Sequence, residues 1–146
     1  MLPLGDGEIT IRPLQPGDVA HLIAGRDGEW ERWLGPGTND PQPTAVITVG
    51  GEVVGWVDYD HPDWLGPDEV NVGYNVFPGH RGHGYATRAV LLLLQHLATD
   101  TDARMATLSI DADNARSLQV AQLAGFTDHG LRGSSRFFKR PVSRPA

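Results

Sequence analysis

The sequence predicts an α+β domain in three layers: a mixed, largely antiparallel central sheet of about six or seven strands flanked by four helices. Three observations predict it. Apolar–polar alternation recurs in separate stretches between residues 8 and 77, two of them joined by Gly50-Gly51, the signature of hairpin pairing. Helical and strand periods then alternate through residues 84–139, the signature of crossover connections. The chain has 146 residues, a length that fits one domain with one core. One domain over residues 1–146 is therefore expected, with its core at about residues 8–141.

Each element has its own local reason. Residues 8–14, Glu-Ile-Thr-Ile-Arg-Pro-Leu, alternate with period two and stop at proline. Asp18 can cap a short helix that carries Val19, Leu22 and Ile23. A second short helix places Trp30, Trp33 and Leu34 on one face and stops at Gly35-Pro36-Gly37. Strands follow at residues 45–49, 52–59 and 69–77, the last ended by Pro78. Ala86, Ala89, Val90, Leu93, Leu94 and Leu97 recur at helical spacing, the strongest periodic signal in the chain. A strand at 105–110 precedes a helix that starts at Asp113 or Asn114 and ends at Gly125. Short strands at 126–129 and 136–139 close the domain, and the tail 141–146 is expected to be loose.

Composition excludes several classes of function. There is no cysteine, hence no disulfide, thiolate metal site or cysteine nucleophile. Twelve basic against eighteen acidic residues give a net charge of −6, which argues against nucleic-acid binding. The longest aliphatic run, residues 89–94, is too short for a membrane span, and the N-terminus lacks a basic leader. A soluble cytoplasmic protein without membrane contact is expected. No metal site is expected either. His80-x-x-His83 lacks further ligands, and Pro62 and Asp63 break the calcium-loop spacing that starts at Asp58.

The chemistry concentrates at residues 76–87, Val-Phe-Pro-Gly-His-Arg-Gly-His-Gly-Tyr-Ala-Thr. A strand ends, a glycine-rich loop turns and a long helix begins. The first N–H groups of a helix have no internal partner and carry the positive end of its dipole, so this loop is a candidate phosphate cradle. Arg81 and Arg88 would add positive charge on its flanks. The loop has no lysine for a Walker A motif, and Thr87 stands where a dinucleotide fingerprint needs its third glycine.

Arg81-x-x-Gly84-x-Ala86 resembles the coenzyme A pyrophosphate loop of the GNAT superfamily of N-acetyltransferases. Asn114-Ala115-Arg116-Ser117 followed by Gly125-Phe126 is similar to the Asn-x-x-Ser … Gly-Phe signature of its RimJ/RimL-like branch. Ile11-Arg12-Pro13-Leu14 and Phe137-Phe138-Lys139-Arg140-Pro141 also resemble that branch. The resemblance implies a V-shaped split between two central parallel strands, residues 69–77 and 105–110, that admits acetyl-CoA. It implies that backbone groups of Tyr74, Asn75 and Val76 pair with the pantetheine. It implies that the amides of Arg81, Gly82, His83, Gly84, Tyr85 and Ala86 hold the pyrophosphate, and that Asn114 contacts the pantetheine arm. Val76 N–H would stabilise charge on the carbonyl oxygen. Many members protonate the leaving thiolate from a tyrosine seven residues after the asparagine; here Ala121 stands there, and Ser117 is the remaining candidate. For the base, Glu69 or a water relay is expected. Asn71 stands where the branch often has Glu, Ser109 occupies another family position for Glu, and Asp111 follows two residues on.

The implied activity is acetyl transfer to a primary amine, a protein N-terminus or a small molecule, by direct attack in a ternary complex. The implied protein is a monomer or homodimer. A CoA-binding sensor or interaction module without turnover is the alternative, because Ala121 and Ser109 lack the usual groups. Residues 30–40 and 60–68 would border the acceptor entrance, with Glu29, Glu31, Asp60, Asp63 and Asp68 favouring a cationic amine.

Overall fold

The computed structural model describes residues 1–35 and 37–143. Pro36 and residues 144–146, on which the expected helix stop and the loose tail partly rest, lie outside the described residues. Eight strands form one sheet: β1 (Leu4–Gly5), β2 (Ile9–Arg12), β3 (Ala45–Val49), β4 (Glu52–Asp60), β5 (Glu69–Val76), β6 (Met105–Asp111), β7 (Thr127–Arg132) and β8 (Ser135–Pro141). Among the described residues four helices accompany them: α1 (Asp18–Ala24), α2 (Gly28–Trp33), α3 (Tyr85–Asp100) and α4 (Ala115–Leu123). The expected count of six or seven strands is exceeded by β1, two residues that pair with β2 and are too short to show a period.

The strand order is β1-β2-β3-β4-β5-β6-β8-β7, and every neighbouring pair is antiparallel except β5 and β6. A parallel pair needs a long crossover. Here α3 supplies it, which is why the longest helix follows β5. Period-two alternation assigns the two faces. Ile9, Ile11, Ala45, Ile47, Val57, Val70, Val72 and Val76 pack with Ala89, Val90, Leu93 and Leu97 of α3 and with Val120 and Ala121 of α4. The intervening Val46 packs instead with Leu22 of α1 and with Phe77. Each fully buried leucine of α3 contributes roughly 1.5–3 kcal/mol of transfer free energy, so this stripe anchors the crossover firmly.

Asp18 does not act as the expected cap; it is the first residue of α1, and Gly17 precedes it as the cap. Its buried carboxylate instead ties α1 to β2. Arg12 donates to both its oxygens (2.8 and 3.2 Å) and Gln15 N–H to one of them (2.7 Å). The Arg12 hydrogen bonds hold the Asp18 carboxyl below the usual carboxylate range. A carboxyl with a depressed folded pKa contributes stability that is present above its unfolded value near ~3.9. That contribution is lost as pH falls through the folded value. Stability to urea is therefore expected to fall steeply below about pH 4. Asp18→Asn should flatten that decline and cost ~1–3 kcal/mol at neutral pH; an unchanged urea midpoint at both pH values would contradict it.

Candidate functional site

The parallel ladder between β5 and β6 covers only Glu69↔Met105, Val70↔Ala106 and Asn71↔Thr107. Both strands run on, β5 to Val76 and β6 to Asp111, without further pairing. They part here, and a cleft of about 230 Å³ opens between them. The expected split is thus present. Its walls include Asn71 to Val76 of β5, Leu108 to Asp111 of β6, and Asn114, Arg116 and Ser117 at the start of α4. Glu29, Trp30, Trp33 and Leu34 close it from the side of α2.

Strand parity decides which backbone groups face the cleft. Phe77 N–H donates to Val54 C=O on β4 (2.8 Å). Alternation along an antiparallel pair then sends the N–H and C=O of Asn75 to β4 as well, and turns those of Tyr74 and Val76 to the open side. Tyr74 is therefore available to an added strand through both groups and Val76 through its N–H, since Val76 C=O accepts from Arg81 Nε (2.8 Å). The expectation for the Asn75 backbone is corrected: its groups belong to the β4 ladder. The buried Asn75 side chain instead reaches the Arg81 guanidinium (3.5 Å).

The glycine loop meets the cleft at the N-terminus of α3. Gly84 is the cap residue, with φ 77°, and no side chain caps the helix. Gly82 also has positive φ, 84°. Only glycine adopts this backbone at little cost. A Cβ added at either position would meet no atom within 4 Å, so the space in front of the uncapped amides is open. That arrangement fits a pyrophosphate. His83 stacks on Tyr85 with ring centroids 5.2 Å apart, and its Nδ1 lies 3.2 Å from His80 C=O and 3.1 Å from Arg81 C=O.

The two arginines expected to flank the phosphates have other partners. Arg81 turns inward: Nε donates to Val76 C=O (2.8 Å), Nη1 to Asp27 (2.8 Å) and Glu29 (3.1 Å), and Nη2 to Asp27 (3.3 Å). Arg88 is held by Asp6 and Glu8. Sequence spacing places an arginine near a loop but does not say which acids the fold brings to it. Here α2 brings Asp27 and Glu29, and the turn after β1 brings Asp6 and Glu8. Both arginines are thus engaged by acids, and the backbone amides and helix dipole are what the glycine loop itself presents.

Arg81 is the strut between the glycine loop and α2. Its hydrogen bonds hold the Asp27 carboxyl below the usual range, and Asp27 itself caps α2 by accepting from Trp30 N–H (2.8 Å). Arg81→Ala should lower stability by about 1–3 kcal/mol, moderated by the partial exposure of its acidic partners. If the chain carries the acetyl transfer that the resemblance implies, this change should raise the acceptor KM more than the acetyl-CoA KM, because the guanidinium is bound to α2. Arg81→Lys should rescue little, since Nε and both Nη atoms are engaged. Steady-state kinetics with thermal melts check both; equal loss for both substrates would contradict the assignment.

Of the remaining expected residues, Asn114 and Ser117 both line the cleft. Asn114 Oδ1 accepts from Ser117 N–H (3.3 Å) and so caps α4. Ser117 Oγ is 2.9 Å from Tyr74 Oη, a contact that no sequence motif announced. Ala121 is fully buried in the core between α4 and α3. Glu69 does not line the cleft. It lies at the paired end of β5, and Lys139 of β8 donates to its carboxylate (3.4 Å). Asn71, Ser109 and Asp111 do line it, and Asn71 Oδ1 accepts from Thr107 Oγ1 (3.3 Å). Of the two loops expected at the entrance, residues 30–34 border the cleft; Asp60, Asp63 and Asp68 do not line it. Trp30 also lines a second cavity, of about 270 Å³, with Trp56, Asp58, Gln42 and Arg26. Among the described residues its buried Nε1 has no hydrogen-bond partner. Among the described residues no three potential metal ligands gather, and no helix is long and apolar enough to cross a membrane.

Comparison with known proteins agrees with this geometry. The family model of the acetyltransferase (GNAT) domain matches residues 8–127. Mycothiol acetyltransferase of Streptomyces griseus is 30% identical over 151 aligned residues, which cover 88% of this chain and 45% of that protein. The chain therefore spans a little under half the length of that relative. RimJ of Mycobacterium smegmatis, solved with CoA-disulfide, superposes with a TM-score of 0.76 at 20% identity, covering 91% of this chain and 81% of that one. The aminoglycoside acetyltransferase AAC(6')-Ib, solved with coenzyme A, gives 0.79 at 17% identity, covering 91% and 94%. With a split parallel pair, an uncapped glycine-loop helix and a family match over residues 8–127, the chain belongs to the GNAT acetyltransferase family.

Proposed function

We propose that this chain transfers an acetyl group from acetyl-CoA to a primary amine by direct attack in a ternary complex. One observation carries the reading most directly. The only parallel strands of the described sheet part after Asn71 and Thr107, beside the uncapped N-terminus of α3. A pantetheine arm can then run along Tyr74 and Val76 as an added strand while the amides of residues 81–86 receive the pyrophosphate. Asn114 and Ser117 flank the same path.

The residues of the cleft divide the chemistry. Val76 N–H, on the open side of β5, is the donor for charge that develops on the carbonyl oxygen. The sulfur departs toward Ser117. A free thiol has a pKa of only ~8.5, so its departure needs a hydrogen-bond donor more than a strong acid. With Glu69 held by Lys139 outside the cleft, the water relay is the better of the two expected routes for the amine proton. Asn71, Ser109 and Asp111 are the polar groups placed to hold that water.

The acceptor enters from the side of α2. Glu29 lines the cleft paired with Arg81 and Arg116, and Asp111 is the acid there that no basic side chain holds among the described residues, a place for a cationic amine. Trp30 stands between the cleft and the adjoining cavity, lining both. The aminoglycoside acetyltransferase neighbour is consistent with a small, multiply charged amine, and the RimJ neighbour keeps a protein N-terminus in the test. Calorimetry with CoA and a thiol-release assay over a panel of amines test the proposal together. Saturable CoA binding with turnover of cationic amines is expected. Binding without turnover of any amine would favour the CoA-binding module, a reading to which the buried Ala121 lends weight. No CoA binding by folded protein would overturn both.

A further inference from the structure

The contact between Tyr74 and Ser117 joins residues 43 positions apart, across the gap where β5 and β6 no longer pair. Tyr74 stands three residues beyond the last residue of β5 that pairs with β6, and Ser117 stands on the first turn of α4. Nothing else in the described hydrogen-bond network bridges β5 to α4 at this level. The position from which many relatives donate a proton is Ala121, buried one turn further along α4.

We propose, resting on the acetyltransferase reading above, that Tyr74 is a positioning residue for the leaving sulfur: its hydroxyl donates to Ser117 Oγ and so commits the Ser117 O–H to the cleft, where the thioester sulfur must lie. The direction of the bond follows from acidity. A phenol is the stronger donor and an aliphatic hydroxyl the better acceptor, so at 2.9 Å Tyr74 donates and Ser117 accepts. A serine hydroxyl has one proton. With its oxygen already accepting from one side, its proton is free to point to another acceptor. The second acceptor on that side of the cleft is the sulfur that arrives with the cofactor. Hydrogen bonds in such a chain strengthen one another, so the serine becomes a better donor than it would be alone.

Tyr74 is not the proton source itself. Burial pushes its pKa up to about 12, against the lowering effect of the Ser117 hydrogen bond. It therefore keeps its proton throughout. The balance of the step is complete without it. The neutral amine nitrogen forms the new C–N bond with its lone pair, the C–S bond breaks, and its electron pair goes to sulfur. The nitrogen proton leaves to water. The sulfur departs as a thiolate hydrogen-bonded by Ser117 and takes a proton from solvent. The gain from Tyr74 and Ser117 lies in stabilising that thiolate.

A bound thiolate can be observed without turnover, by its ultraviolet absorbance as CoA bound to the protein is titrated. In the native protein the bound thiol is expected to titrate at lower pH than in Tyr74→Phe or Ser117→Ala, by about one pH unit for a hydrogen bond to a full charge. The two changes should not add in the double variant, because they interrupt one chain. Ser117→Thr, which keeps the hydroxyl, should restore most of the shift. Tyr74→Phe should also lower kcat about tenfold with little change in acetyl-CoA KM, the pattern of an interaction made in the transition state. Thermal melts confirm that the variants fold. Equal bound-thiol titration in native protein and Tyr74→Phe, with CoA bound in both, would overturn this proposal alone. A Tyr74→Phe protein that loses CoA affinity but keeps kcat would also overturn it, showing a purely structural prop. Failure of the native protein to bind CoA would overturn the acetyltransferase reading and this one with it.

Discussion

Gly84→Glu is expected to abolish measurable CoA binding. Gly84 caps the 16-residue helix α3 with φ 77°, a backbone that other L-residues adopt at a cost of ~1–2 kcal/mol. A side chain there would not collide with the protein, since no atom lies within 4 Å of the added Cβ. It would project into the space before the uncapped amides. Because Arg81 and Arg88 are bound to other acids, no mobile arginine stands by to neutralise the new carboxylate. The charge would satisfy the helix N-terminus in place of the phosphates. Loss of two charge-assisted hydrogen bonds corresponds to a weakening of at least about 100-fold. Gly84→Ala separates the causes: it brings the backbone strain without the charge and should retain partial binding. Calorimetry with CoA reads both variants. Native affinity in Gly84→Glu would place the phosphates elsewhere.

What the sequence made legible was periodic or local. The apolar spacing of residues 86–97 marked α3, Gly50-Gly51 marked the β3–β4 hairpin, and the glycine loop at 79–84 marked the start of α3. Each of these signals lies within one element or one turn. The parts that escaped depend on contacts between distant segments. Arg81 was legible as a cation near the loop. Its commitment to Asp27 and Glu29 follows from where α2 docks, more than fifty positions earlier in the chain. The choice between Asn75 and its neighbours as backbone partners depends on which side of β5 carries β4, which no local pattern encodes. Glu69 shares a face with Asn71, as period two requires, yet it lies where the strands are still paired. Tyr74 was legible as a backbone position only, because its hydroxyl finds Ser117 through the packing of α4. The family resemblance supplied the split itself; the ladder register then showed where it begins.

Gly55 lies within β4, where the structure gives it a consequence beyond strand pairing. It lies opposite Val76 on β5, next to the irregularity where the β3–β4 register shifts. A Cβ at this position would stand 2.2 Å from Asn75 O and 3.0 Å from Val76 Cα. Both are backbone atoms, so no rotamer change can relieve the clash, and β5 must move toward the cleft. That movement displaces the one segment whose N–H is assigned to the carbonyl oxygen. Gly55→Ala is therefore expected to act twice. It should cost about 1–3 kcal/mol in stability, as overpacking does. It should also lower kcat by about 100-fold, the order that a displacement near 1 Å brings to an aligned site. Leu93→Ala is the control: it empties buried volume on α3, away from the cleft lining, and should cost ~2–5 kcal/mol. If the cleft depends on the line of β5 and not on stability in general, Leu93→Ala keeps kcat at a temperature where both variants are folded, while Gly55→Ala loses it. Parallel losses in the two variants would show that Gly55 matters only for folding.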